Sequence, residues 1–248
     1  HLTVGSDVNP LHTDNFEEVS FGPILYGAKK LGMHIHTRYE VSNNAGQDIC
    51  DIVNNEGFDF LLVGSGISMS DSPDDIAATR YRTSFYNRYF KRFKAPESWF
   101  YPGALLKDKT KMFIARSNCD VGVFINRNFV KATNTLVVIS SEEDLFLLDY
   151  TRTLLKATHG SVGIVAKMST TTPGHDQILK ELWDFVSSTP QTQLLPDKDL
   201  TPGLFNSYNF MLIGYNTWND VSEHRKEALQ KMPSTLILNK NKRSSSDN

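Results

Sequence analysis

The stretch "FDFLLVG" (residues 58–64) is a short apolar run that stops at a glycine. A run this short and this apolar suits a strand buried on both faces of a parallel sheet. It recurs as "YNFMLIG" (residues 208–214), with Gly64 and Gly214 standing 150 residues apart. The likeness continues on both sides. "ILYGAKKLGMHIHTRYEVS" (24–42) follows the pattern of "TLLKATHGSVGIVAKMSTT" (153–171), and "ARSNCDVGVFIN" (115–126) that of "LQKMPSTLILN" (229–239). A period this long means two related domains rather than a solenoid of short repeats.

Working outward, strands are expected at "MHIHTRYEV" (33–41), "FDFLLVG", "DVGVFIN" (120–126), "TLVVIS" (135–140), "SVGIVAKM" (161–168), "FMLIG" (210–214) and "STLILN" (234–239). Helical patterns separate them: "NFEEVSFGPILYGAKKLG", "GQDICDIVNNEG", "SEEDLFLLDYTRTLLKATHG", "GHDQILKELWDFVSST" and "DVSEHRKEALQKM". This alternation predicts an α/β fold with mainly parallel sheets. Ser141 followed by Glu142, Glu143 and Asp144 puts a hydroxyl cap and negative charge at one helix start. His159-Gly160, Leu31-Gly32 and Glu56-Gly57 end three helices.

The first copy is longer in one place. Gly64 to Cys119 takes 55 residues, against 19 from Gly214 to Pro233, an excess of 36. The expected organisation is a first unit over 1–132 with an insertion at about 66–110, a second over 133–240, and a basic, serine-rich tail over 241–248.

Composition narrows the function classes. The 248 residues are 40% hydrophobic and 22% charged, an ordinary globular balance, and a formal charge of −2 argues against a general nucleic-acid binder. Cys50 and Cys119 lie far apart with no CxxC, which suits a reducing cytosol and neither a disulfide framework nor a thiolate zinc site. No run approaches the ~18 apolar residues of a membrane span.

Two tandem α/β units, with "FDFLLVGSG" and "CDVGVFINRNF" in the first, resemble the cytosolic C-terminal region of monovalent cation/proton antiporters. These are the plant cation/proton exchangers and fungal potassium/proton antiporters. Cys119, Val121, Gly122, Val123, Phe124, Ile125 and Arg127 keep the outline of the segment that closes the family's first unit, while Asp120 and Asn126 depart from it. "NTLVVISSEEDLFLLDYTRTLLKATHGSVGIVAKM" resembles the second unit. Each unit in turn resembles the universal stress proteins, some of which bind an adenine nucleotide. The resemblance implies a regulatory region on the cytoplasmic face of an endomembrane or plasma membrane. It implies as partners a second copy and the transmembrane part of the same antiporter, lying N-terminal to this chain. The alternative is a free-standing tandem universal stress protein that binds an adenine nucleotide.

The glycine loop after residue 64 has two readings. Backbone amides and hydroxyls at such a turn can receive phosphate oxygens. The nucleotide pattern of universal stress proteins, however, needs a glycine where Ile67 stands, and Asp71, Asp74 and Asp75 would repel a phosphate. A plain strand terminus is the favoured reading. For a nucleotide, the candidates are Asp7, Ser42, Gly64, Ser65, Gly66 and Ser68, all at expected carboxyl ends of strands.

The insertion holds "RYRTSFYNRYFKRFK" (80–94), with six basic residues, six aromatics and no acid. As a helix it carries one aromatic stripe, with Arg88, Lys91 and Lys94 away from it. The stripe suits packing on the sheet or a second subunit; a sharper reading is contact with an anionic membrane surface. Signs of enzyme chemistry are weak. "HGSVG" places Ser161 at the start of a buried strand rather than on a nucleophile elbow, and His34 with His36 lacks an evident third metal ligand. Cys119 reads as a structural thiol. No catalytic or metal site is expected.

Overall fold

The computed structural model describes residues 2–3, 13–38, 40–42, 44–64, 108–168, 173–196, 200–224 and 231–241. Described residues up to Ile52 form one compact unit and those from Val53 onward another. The first unit holds β1 (Leu2–Thr3), α1 (Thr13–Lys30), β2 (Glu40–Val41) and the larger part of α2 (Ala45–Asn55). Its two strands pair in parallel, Leu2 with Glu40 and Thr3 with Val41.

The second unit is built on β3 (Phe60–Gly64), α3 (Asp108–Arg116), β4 (Asp120–Ile125), β5 (Asn134–Ile139), α4 (Leu147–Thr158), β6 (Ser161–Ala166), α5 (His175–Ser188), β7 (Thr192–Pro196), α6 (Pro202–Phe205), β8 (Phe210–Gly214), α7 (Tyr215–His224) and β9 (Ser234–Asn239). Its strands form one seven-stranded sheet in the order β3-β4-β9-β8-β5-β6-β7, parallel except between β4 and β9. The expected α/β class with a mainly parallel sheet is therefore observed. β5, β6, β8 and β9 are apolar almost throughout because they are covered on both faces. On one side α4 and α5 bring Leu147, Leu155, Ile178, Leu182 and Phe185 onto Val137, Ile164 and Leu212. Elsewhere α7 packs on β8 and β9, with Trp218 and Val221 buried.

The antiparallel pair joins the two repeats. Aligning the strands of the repeats matches Val121 to Thr235, Val123 to Ile237 and Ile125 to Asn239. In the sheet Val123 faces Ile237, Val121 faces Asn239 and Ile125 faces Thr235. Each contact thus maps onto itself or its mirror when the repeats are exchanged, the signature of an isologous, two-fold interface. The match stops at the outer strand. Phe60 and Leu62 of β3 are 36% and 58% exposed, whereas their counterparts Phe210 and Leu212 are buried.

Three expectations need correction. "MHIHTRYEV" is strand only at Glu40–Val41, and residues 33–38 are irregular. Met33 and Ile35 stay exposed, so the alternation there has no buried face to hold it as a strand. The last helix starts at Tyr215, directly after β8, rather than near Asp220. β7 was not anticipated, since "TQLLP" lacks both alternation and an unbroken apolar run.

Ile237, 1% exposed at the centre of the β4·β9 pair, gives the fold a direct test. Ile237→Ala is expected to lower stability by about 2–4 kcal/mol in urea unfolding.

Candidate functional site

Within the second repeat the strand order is β7-β6-β5-β8-β9, so the connection after β5 runs to β6 on one side and the connection after β8 runs to β9 on the other, which puts the switch point between β5 and β8. In open α/β sheets, ligands bind in the crevice at that point, beyond the carboxyl ends of the strands. Here the crevice lies past Ile139 of β5 and Gly214 of β8.

A carboxylate of the chain itself fills it. Asp144, 2% exposed, lies in the short 3₁₀ turn Glu142–Asp144 that follows β5. Its Oδ2 accepts from Thr217 Oγ1 at 2.6 Å, from the Ser140 backbone N–H at 2.8 Å, from Ser140 Oγ at 3.2 Å and from the Ser141 N–H at 3.3 Å. Ser140 Oγ and Thr217 Oγ1 also contact each other. The carboxylate lies so close to β8 that a Cβ built on Gly214 would stand 3.1 Å from Asp144 Cγ. Gly214 is therefore required by a close approach, the tight contact that only a residue without a side chain permits. The amides and hydroxyls that could have met a phosphate are spent on this group.

Outside the carboxylate lies a cavity of about 960 Å³ along the same edge of the sheet. Asp59, Asp120, Glu142, Glu143 and Asp144 line it against Lys240. Glu143 accepts from Asn216 Nδ2 at 2.7 Å. Asp120 accepts from Tyr150 Oη at 3.0 Å through one oxygen and from the Asn241 N–H at 2.9 Å through the other. Burial first, then the hydrogen bond and charge of Asp120, raise the Tyr150 phenol well above its ordinary value. Five carboxylates against one lysine make the cavity hostile to a free anion.

The sequence candidates are placed as follows. Gly64 ends β3, opposite Phe124 of β4. Ser42, in the other unit, is buried; its hydroxyl donates to Asp48 and accepts from the Asn44 N–H at 2.9 Å. Asp7, Ser65, Gly66 and Ser68 lie outside the described residues, as do Arg88, Lys91 and Lys94. His34 and His36 are exposed, and among the described residues no group of three or more metal-binding side chains occurs. Cys50 and Cys119 are buried and form no disulfide. The sequence reading placed Ser141 and its acids correctly at a helix start but missed that Asp144 reaches across to Thr217. The available signal was the glycine at 214, conserved between the repeats without a matching phosphate loop.

No protein-family model matches the chain, and no curated protein matches it in sequence. Solved structures do match its fold. A universal stress protein from Archaeoglobus fulgidus aligns over 97% of this chain and 84% of its own, with a TM-score of 0.51 at 10% identity. The fold is that of universal stress proteins. A functionally unknown protein from Pseudomonas aeruginosa aligns over 97% and 81% with a TM-score of 0.50 at 11% identity. The cytoplasmic domain of a prokaryotic cation chloride cotransporter aligns over 97% and 83% with a TM-score of 0.51 at 9% identity. At such identities the likeness is one of fold.

Two predictions test the crevice. Asp144→Ala strands several buried donors and is expected to cost about 3 kcal/mol, against about 1 kcal/mol for Thr217→Val, both read by urea unfolding. Tyr150 gives a pH dependence. With a raised folded value, its contribution is intact below the unfolded value of about 10 and is lost as pH climbs through the folded one. Tyr150→Phe is therefore expected to remove part of the alkaline loss of stability.

Proposed function

We propose that this chain is a non-catalytic regulatory domain on the cytosolic side of a monovalent cation/proton antiporter of the potassium-carrying kind. It acts by association rather than by chemistry. The observation that carries the reading is the crevice at the switch point, closed by Asp144 and edged with carboxylates. A fold whose customary ligand crevice is filled from within has its surfaces left to work with. The likeness in fold to a cotransporter's cytoplasmic domain and the outline kept by "CDVGVFINR" both support the assignment.

The partners are the transmembrane part of the same antiporter and a second copy of the domain. Among the described residues no helix is long and apolar enough to cross a membrane, so ion passage belongs to that other part. Regulation then consists of a change in packing passed to the transporter, which a ligand biases only if it prefers one arrangement.

The likeness to the archaeal universal stress protein favours the rival reading, a free-standing nucleotide binder. Calorimetric titration with AMP and with ATP and magnesium separates the two. The regulatory reading predicts no heat of binding with either; saturable heat at micromolar affinity would transfer the assignment to the rival. In a full-length antiporter reconstituted in vesicles, deletion of this domain is expected to change the rate of potassium-driven proton exchange and to leave the capacity for exchange in place.

A further inference from the structure

The turn that ends α1 holds two apolar side chains out in solvent. Gly32 adopts a left-handed φ of 66°, its N–H donates to Lys29 O at 3.2 Å, and the Met33 N–H donates to Ala28 O at 2.9 Å. This pair of hydrogen bonds is a Schellman motif, which fixes the direction in which the chain leaves the helix. Leu31 on one side of the glycine is 75% exposed and Met33 on the other is 57% exposed, with Ile35 following at 38%. Tyr26, one turn earlier, is exposed as well, and Lys30 lies over its ring.

The second repeat provides an internal control. There α4 ends with His159 in the left-handed conformation, φ 52°, and the surrounding residues Thr158, His159, Gly160 and Ser161 are polar. On the alignment of the repeats Leu31 stands where the second copy has Gly160, whereas Met33 and Ile35 correspond to Val162 and Ile164, which are buried in β6; at 33 and 35 it is the exposure that is peculiar to the first copy. Their setting is basic. Lys29 and Lys30, both exposed, precede the tip, and the sequence has no acid between Val19 and Tyr39. An apolar tip beside exposed lysines matches an anionic bilayer surface, where the headgroups meet the cations and the acyl boundary takes the apolar side chains. An exposed tyrosine under Lys30 suits the interfacial zone.

We propose that the α1 turn, Leu31 to Ile35, is a membrane-insertion loop that docks this domain on anionic lipid. This docking stands whether or not the antiporter assignment does.

The full chain should sediment with vesicles of phosphatidylcholine and phosphatidylserine and stay in solution with phosphatidylcholine alone. Leu31→Ser/Met33→Ser and Lys29→Glu/Lys30→Glu, all at surface positions, are each expected to weaken binding at least tenfold. Wild-type protein that ignores anionic vesicles would overturn the proposal. So would a loss confined to the charge variant, which is adsorption without insertion, or a loss seen only in Lys91→Glu/Lys94→Glu. A dimer in light scattering that Leu31→Ser/Met33→Ser converts to monomer would assign the tip to a second copy instead.

Discussion

The antiparallel pairing of β4 with β9 is the contact on which the second unit depends. Each of these strands ends its own repeat, and each presents one edge to a parallel neighbour. Without the pairing, both would leave a row of amides and carbonyls unmet beside buried apolar side chains, a costly arrangement and an aggregation-prone one. With it, β3 and β4 of the first repeat and β5 to β9 of the second share one sheet. The register, centred on Val123 and Ile237, makes the joint symmetric although only a few side chains at it are alike. The chain thereby carries inside itself an interface of the kind that symmetric homodimers form between subunits.

The repeats have diverged around that joint in opposite ways. The second has become a closed structure, with helices covering its central strands and Asp144 sealing the switch point. The first has kept apolar groups in solvent, on β3 at Phe60 and Leu62 and, in the other unit, on the α1 turn at Leu31 and Met33. One copy therefore reads as a stable platform and the other as the source of working surfaces.

Much of this was legible in the sequence, for physical reasons. Strands covered on both faces are largely apolar, so β4, β5, β6, β8 and β9 declare themselves, and β3 reads the same way although one of its faces is exposed. The helix ends at Gly32, Gly57 and His159 were readable because left-handed turns recruit few residue types. β7 was not, because "TQLLP" at the margin of the sheet mixes polar and apolar residues. The antiparallel joint was not legible either, since a repeat tells which strands are alike and not which edges meet. The Asp144 network escaped for a similar reason. Ser140 and Thr217 are 77 positions apart, and only the folded sheet brings the ends of β5 and β8 together.

Native-state hydrogen exchange of the β4 and β9 amides tests the central joint most directly. If the pairing binds the repeats into one cooperative sheet, the amides of Val123 and Ile237 exchange only by global unfolding, at the same free energy as those of β5 and β8. Exchange of β4 and β9 through a separate, lower-energy opening, while β5 and β8 stay protected, would contradict the account.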